Sequence, residues 1–239
     1  YPPHRFGKWR EKESPCGGFC RKRWRRISGR IVSMKRIRKK KGKLSMSQSH
    51  HQTELEKLRK AMEKELSTGR YTHTLGVAYT AAALAMAHAE DMEKAMIAGM
   101  LHDCAKSMHG SELVAICEKA HLNVTAVERS NPTALLHAKA GAYLAERKYG
   151  ITDMDILNAI RYHTTGRPDM SRLEKIVYIA DYIEPGRKQN QDLSLIRRLA
   201  YQDLDSAMEK ILADTLTYLR TTDGQVDDMT NRTYQYYKR

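Results

Sequence analysis

A chain of 239 residues that is 41% hydrophobic and 29% charged, with 14 Gly and 6 Pro, suits one good-sized domain and excludes collagen-like, mucin-like and disulfide-scaffold proteins. The formal charge of +14 suggests a nucleic-acid binder, but 17 of the basic residues, against only Glu11 and Glu13, lie in residues 1–45. That leaves 25 basic and 26 acidic residues from 46 to 239, so the body of the chain is neutral.

Residues 1–45 lack sustained helical or alternating periodicity, and the like-charge runs Arg21 to Arg26 and Lys35 to Lys43 repel on compaction. A disordered basic extension is expected, and the body starts at 46. The functional reading is an arm that touches RNA, DNA or another anionic surface. The plainer reading is a tail without a specific role, or a stretch upstream of the native start, since the chain opens on Tyr1 and both Met34 and Met46 precede the periodic region. Neither the apolar face of a mitochondrial presequence nor a secretory hydrophobic region develops. Cys16 and Cys20 have only His4 nearby and make a poor zinc site. Four cysteines in all build no disulfide framework, which fits a reducing, cytoplasmic setting. The longest weakly polar stretch, Val77 to Ala87, is about half the ~20 residues of a membrane span.

From Gln52 onward the apolar spacing is helical. Leu55, Leu58, Met62 and Leu66 recur at three and four, as do Val77, Ala81, Leu84 and Ala85, then Met92, Ala95, Met96, Gly99 and Met100. Ser111, Asp153, Asp169 and Asp192 are expected N-caps, and Gly110, Gly150, Gly166 and Pro185–Gly186 are expected breaks. No long alternation and no Asn-Gly or Asp-Gly hairpin signal intervenes. The expectation is an all-α domain of eight or nine helices.

Nine histidines lie in the body, and most histidines are surface or satisfied core residues. That reading suits His50, His51, His88, His109 and His121, in the polar lead-in or near helix ends. His73, His102, His137 and His163 differ, each near an end of, or within, a separate expected helix beside small or polar residues. His102 is followed by Asp103 after an apolar run. Neighbours on a helix point about 100° apart, so these two grip one ion only from a helix end or across a groove. An unpaired buried carboxylate beside a buried imidazole costs several kcal/mol, and a divalent cation satisfies both. Alone, the dipeptide is more simply a structural hydrogen bond. Asp181 changes the balance: it is an acid in Ile176 to Ile183, a run otherwise apolar on every face, so it is expected in the interior and in need of a partner. Four imidazoles and two carboxylates are enough for one metal with open positions or two metals sharing a carboxylate.

Arg70-Tyr71-Thr72-His73 and Arg161-Tyr162-His163-Thr164 echo each other, pairing a potential ligand with donors for an anion. Lys106, three residues after Asp103, and Arg187, after the Pro185–Gly186 turn, add cations suited to a polyphosphate.

The order His73, His102-Asp103, His137, His163 and Asp181, with Ala98 to Lys106, His163 to Pro168 and above all Leu173 to Arg187, resembles the HD-domain metal-dependent phosphohydrolases, specifically the bacterial YqeK family. The resemblance runs from about Met46 to the C-terminus. It implies an HD-domain helical bundle that acts as a symmetrical diadenosine tetraphosphate hydrolase with a di-iron centre. It further implies His73, His102, Asp103 and Asp181 around one metal and His137 and His163 on the second, with Asp103 as the bridge. Lys106, Thr164, Arg187 and Arg70 would meet phosphates, and His102, Asp103 and Lys106 would carry catalysis. A water shared by two metals loses its proton near neutral pH, so no Ser or Cys nucleophile is needed. The ligand types suit iron, manganese, cobalt and zinc alike, so iron rests on the resemblance alone. Tyr178 and Tyr182 could line a base pocket, although tyrosine in an apolar helix is more often core, and homodimer formation is left open. Three rivals stand beside this reading. They are a phosphohydrolase of the same fold acting on another nucleotide, a nucleic-acid- or ribosome-associated protein working through residues 1–45, and a degenerate HD domain that binds nucleotide without turnover.

Overall fold

A computed structural model describes residues 54–188, 192–222 and 224–238. The expectations for residues 1–45, for His50 and His51 and for Cys16 and Cys20 lie outside the described residues.

Eleven helices and no strand form among the described residues. Helix α1 covers 54–65. It is followed by α2 (Thr68–Ala87), α3 (Met92–Leu101), α4 (Gly110–Lys119), α5 (Ala126–Ser130) and α6 (Pro132–Arg147). The remainder are α7 (Met154–Tyr162), α8 (Arg172–Ile183), α9 (Leu193–Gln202), α10 (Leu204–Thr221) and α11 (Asp228–Tyr237). The expected eight or nine is too few for physical reasons. Helix α5 is little more than one turn, and α9 and α10 are parted by Asp203 alone. No membrane-spanning helix occurs among the described residues.

Side-chain caps set most starts. Ser67, Asp91, Asp153, Ser171 and Asp203 each accept from backbone N–H groups of the first turn that they precede, which would otherwise lack partners. Asp153 and Asp192 occupy the expected cap positions. Ser111 and Asp169 do not. Helix α4 starts before Ser111 because the Glu112 carboxylate accepts from His109 N–H at 2.8 Å, and Asp169 sits at φ 53°, leaving Ser171 to cap α8. Gly150 and Gly166 have φ of 73° and 64°, where a side chain is strained, so they end their turns as expected.

Helix α8 lies at the centre, packed against α2, α3, α7 and α10. Its Leu173, Ile176, Val177 and Ile179 are fully buried, as its all-round apolar sequence requires. Each contributes roughly 1.5–3 kcal/mol by leaving water. A smaller cluster of Leu113, Cys117, Leu136 and Ala140 lies between α4 and α6.

Helices α2 and α3 approach closely because Ala78, Ala81, Ala95 and Ala98 are small and Gly99 has no side chain. A Cβ at Gly99 would stand 2.8 Å from the Ala78 Cα, a backbone atom that cannot yield cheaply. Gly99→Val is therefore expected to push the two helices apart and to cost about 1–3 kcal/mol in denaturant unfolding. It should also weaken metal retention, because His73 and His102 ride on these helices with ring centroids 5.3 Å apart.

Candidate metal centre

Five helices each deliver part of one cluster. His73 lies in the second turn of α2, His137 in α6 and Asp181 in the last turn of α8, while His102 and His163 stand at the C-terminal caps of α3 and α7. Beyond Leu101 the backbone tightens to three-residue bonds, Cys104 N–H to Leu101 O at 3.1 Å and Lys106 N–H to Asp103 O at 2.9 Å. This helix-end geometry is what allows the adjacent His102 and Asp103 to serve one centre. At α7 the stop is made by Gly166 N–H donating to Tyr162 O at 2.8 Å.

The six expected side chains converge. Ligand atoms of His73, His102 and Asp103 lie within 4.8 Å of one another, as do those of His102, His163 and Asp181 and those of Asp103, His137 and His163. The Asp103 carboxylate faces both ways. Its Oδ2 is 3.5 Å from His102 Nε2 and 3.9 Å from His73 Nε2, while its Oδ1 is 3.3 Å from His137 Nε2 and 3.7 Å from His163 Nε2. Asp181 Oδ1 is 3.1 Å from His73 Nε2 and 3.9 Å from His102 Nε2.

Three of the imidazoles are held from behind. His102 Nδ1–H donates to Gly99 O and His163 Nδ1–H to Ile160 O, each at 2.7 Å, and His73 Nδ1–H donates to Glu184 Oε1 at 3.2 Å. Each bond sets the tautomer and turns Nε2 toward the centre. The buried Nε2 of His102 has no hydrogen-bond partner, which is costly unless another acceptor of its lone pair is present. A divalent cation is such an acceptor, so these residues fit the metal that their donor set suits.

Electrostatics favour the ligand-competent forms of His102, His137 and Asp103, whereas at His73 burial is outweighed by the Asp181 and Glu184 carboxylates, which raise the imidazole. Burial pulls His102 down, and it takes His137 to about 4 against the opposing pull of Asp103. Burial alone would raise Asp103, but the imidazoles of His102, His137 and His163 hold its carboxyl well below the usual range. Lys106 is pulled down chiefly by burial and lies 3.3 Å from His137 Nε2.

A cavity of about 290 Å³ opens on the cluster. Lys106, Thr164, Arg70 and Arg187 line it with donors, Tyr178 and Tyr182 with aromatic surface. Arg70 reaches Asp103 at 2.8 Å and Arg187 reaches Asp181 at 2.6 Å. Arg70 thus pairs with an acid and also lines the cavity. Asp181, expected in the interior and in need of a partner, has a mostly buried side chain, 24% exposed at the end of α8 where the cavity opens, and its partners are His73 and Arg187. Tyr178 and Tyr182 line the cavity although α8 packs as core.

Sequence reasoning missed Glu184. It is 4% exposed, accepts from His73, and takes the Gly186 N–H at 2.6 Å. A Cβ at Gly76 would stand 2.6 Å from its Oε2 and one at Gly186 2.8 Å from its Oε1, so two glycines make room for this carboxylate. The available signal was an acid three residues after Asp181 and a glycine three after His73. Glu184→Ala is expected to weaken metal binding by about 10–100-fold, measured by competition with a chromogenic chelator, with Glu184→Gln retaining most of it. Gly76→Ala should resemble the alanine variant, since it displaces the same carboxylate.

This frame of helices, with its His-Asp pair at the end of α3, is that of an HD-domain protein, and the family pattern described as "HD domain" matches residues 70–186. The chain belongs to that family and, within it, to the group of the symmetrical bis(5'-nucleosyl)-tetraphosphatases. It is 40% identical to the Bacillus subtilis protein of that name over 73% of this chain and 92% of that one. It is 36% identical to the Staphylococcus aureus protein of the same name, over 77% and 94% respectively. A crystal structure from Clostridium acetobutylicum, described as a predicted HD superfamily hydrolase involved in NAD metabolism, superposes with a TM-score of 0.74 at 41% identity, covering 76% of this chain and 95% of that one. Family membership and the convergent His/Asp cluster together identify this as a divalent-metal site.

Proposed function

We propose that the protein hydrolyses diadenosine tetraphosphate and related dinucleoside tetraphosphates symmetrically, to two nucleoside diphosphates, at a two-metal centre occupied by iron. The reading is carried by the two-faced Asp103 carboxylate, with His73 and His102 toward Oδ2 and His137 and His163 toward Oδ1. His73, His102, Asp103 and Asp181 would hold one ion, and His137 and His163, with Asp103, the other. Bound there, the ions supply positive charge against the phosphoryl oxygens and acidify a water. Manganese, cobalt or zinc would suit the same donors.

The protein's own groups do the rest. Lys106 and Arg187 oppose the charge that builds on the departing diphosphate, and the Thr164 hydroxyl donates to a phosphoryl oxygen. Arg70 and Arg187 already reach the two acids, so their guanidinium groups are held at the centre before any phosphate arrives. The water oxygen ends on one nucleoside diphosphate and the bridging oxygen leaves with the other. Tyr178 and Tyr182 narrow the cavity and offer aromatic surface to a base.

Product analysis tests the reading. Diadenosine tetraphosphate should yield two ADP, and ATP plus AMP would mean that a different bond is broken. A chain beginning at Met46 should turn over at the rate of the full chain. A large loss would assign the basic extension a part in catalysis.

A further inference from the structure

A second cavity of about 420 Å³ lies beside the first, lined by Ser67, Gly69, His73, Gly186 and Lys188 together with Arg70 and Arg187, which also line the first. We propose that this second cavity is the binding site for the other nucleoside diphosphate half of the substrate, an inference that rests on the hydrolysis reading above. A tetraphosphate cut at its middle has two equal halves, so a site that places the metal centre at the midpoint needs room for a nucleoside on each side. Residues of the metal cluster line both cavities. His73 belongs to the metal cluster and also lines the second cavity, and Lys106, His137 and Thr164 line the first. The phosphate chain would pass along the common wall, where two guanidinium groups meet its central oxygens. Both volumes fall in or close to the range of small-molecule sites, roughly 300–1,000 Å³.

The chemistry of the second cavity suits a diphosphate ester. Arg70, Arg187 and Lys188 bring three cations. The Glu184 carboxylate at its edge is occupied by His73 and by the Gly186 N–H, so it does not repel an anion as a bare acid would. Gly69 leaves space: a Cβ there meets nothing within 4 Å. Gly69 is exposed and lines the cavity, so a large side chain there can crowd it without disturbing the core.

The test uses the metal-loaded full chain. Calorimetric titration with ADP should find two molecules bound per wild-type chain and one per Gly69→Trp chain. In steady-state assays of diadenosine tetraphosphate, Gly69→Trp should raise KM by about tenfold or more. Lys188→Glu, a substitution at an exposed position on the rim, should raise KM in the same direction and carries the test if the tryptophan variant loses its helical circular dichroism. One ADP per wild-type chain, or variants with wild-type KM and stoichiometry, would overturn the second site while leaving symmetrical hydrolysis standing. A wild-type protein that releases no ADP from diadenosine tetraphosphate removes the hydrolysis reading itself, and the inference with it.

Discussion

Asp103→Ala is expected to cut turnover steeply and to lower bound metal, both in the same preparation. The carboxylate faces imidazoles on either side, 3.3 Å from His137 and 3.5 Å from His102 by its two oxygens. Removing it takes a donor from both proposed ions at once. A loss in kcat on the order of a thousandfold is expected, in keeping with the loss of several kcal/mol of electrostatic stabilisation of a phosphoryl transition state. Elemental analysis alongside kcat measures the two effects together. If Asp103 were only a structural partner of Arg70 and the histidines, the variant would instead keep its metal and lose about 1–3 kcal/mol of stability. Full metal content in the alanine variant would sink the bridging role.

Stripping the metal with a chelator should eliminate turnover while leaving the helices folded. The reason lies in the charge pairs that remain. Without an ion Asp103 keeps Arg70 at 2.8 Å and Asp181 keeps Arg187 at 2.6 Å, so neither carboxylate is left as a bare charge. The apolar core around α8 is built from residues other than the six proposed ligands. Far-ultraviolet circular dichroism should be unchanged. The apparent stability should fall only by the binding free energy, about 2.7 kcal/mol per ion at a hundredfold excess of metal over Kd, or roughly 5–10 °C in Tm for each ion lost. Re-addition of iron should restore activity. Collapse of the helical signal on chelation would make the centre a folding element rather than a catalytic one.

The helical class of this protein was legible because its apolar residues repeat at three and four through most of the body. The side chains that converge were legible because imidazoles and acids stand out in small or apolar surroundings: His102-Asp103 after an apolar run, Asp181 inside another. Helix boundaries were less so. Ser111 and Asp169 look like caps by residue type, yet a cap is chosen by which side chain reaches the backbone N–H groups at the helix start, where Glu112 takes that of His109 and Ser171 takes that of Glu174. Glu184 escaped for a related reason. A glutamate near a helix end is ordinarily a solvated charge, and only the approach of α2 to the end of α8 brings His73 to it.

The amino-acid sequence by itself determined the kind of fold and the chemical types at its centre, since periodicity and side-chain chemistry are written locally along the chain. Only the tertiary structure decided which oxygen of Asp103 faces which pair of histidines, that Asp181 stands at the mouth of the cavity, and that a second cavity adjoins the first. These depend on how closely helices distant in sequence approach one another. That distance is set by contacts such as Gly99 on Ala78 and Gly76 on Glu184, whose partners lie about 20 and about 110 residues apart along the chain. No local pattern encodes it.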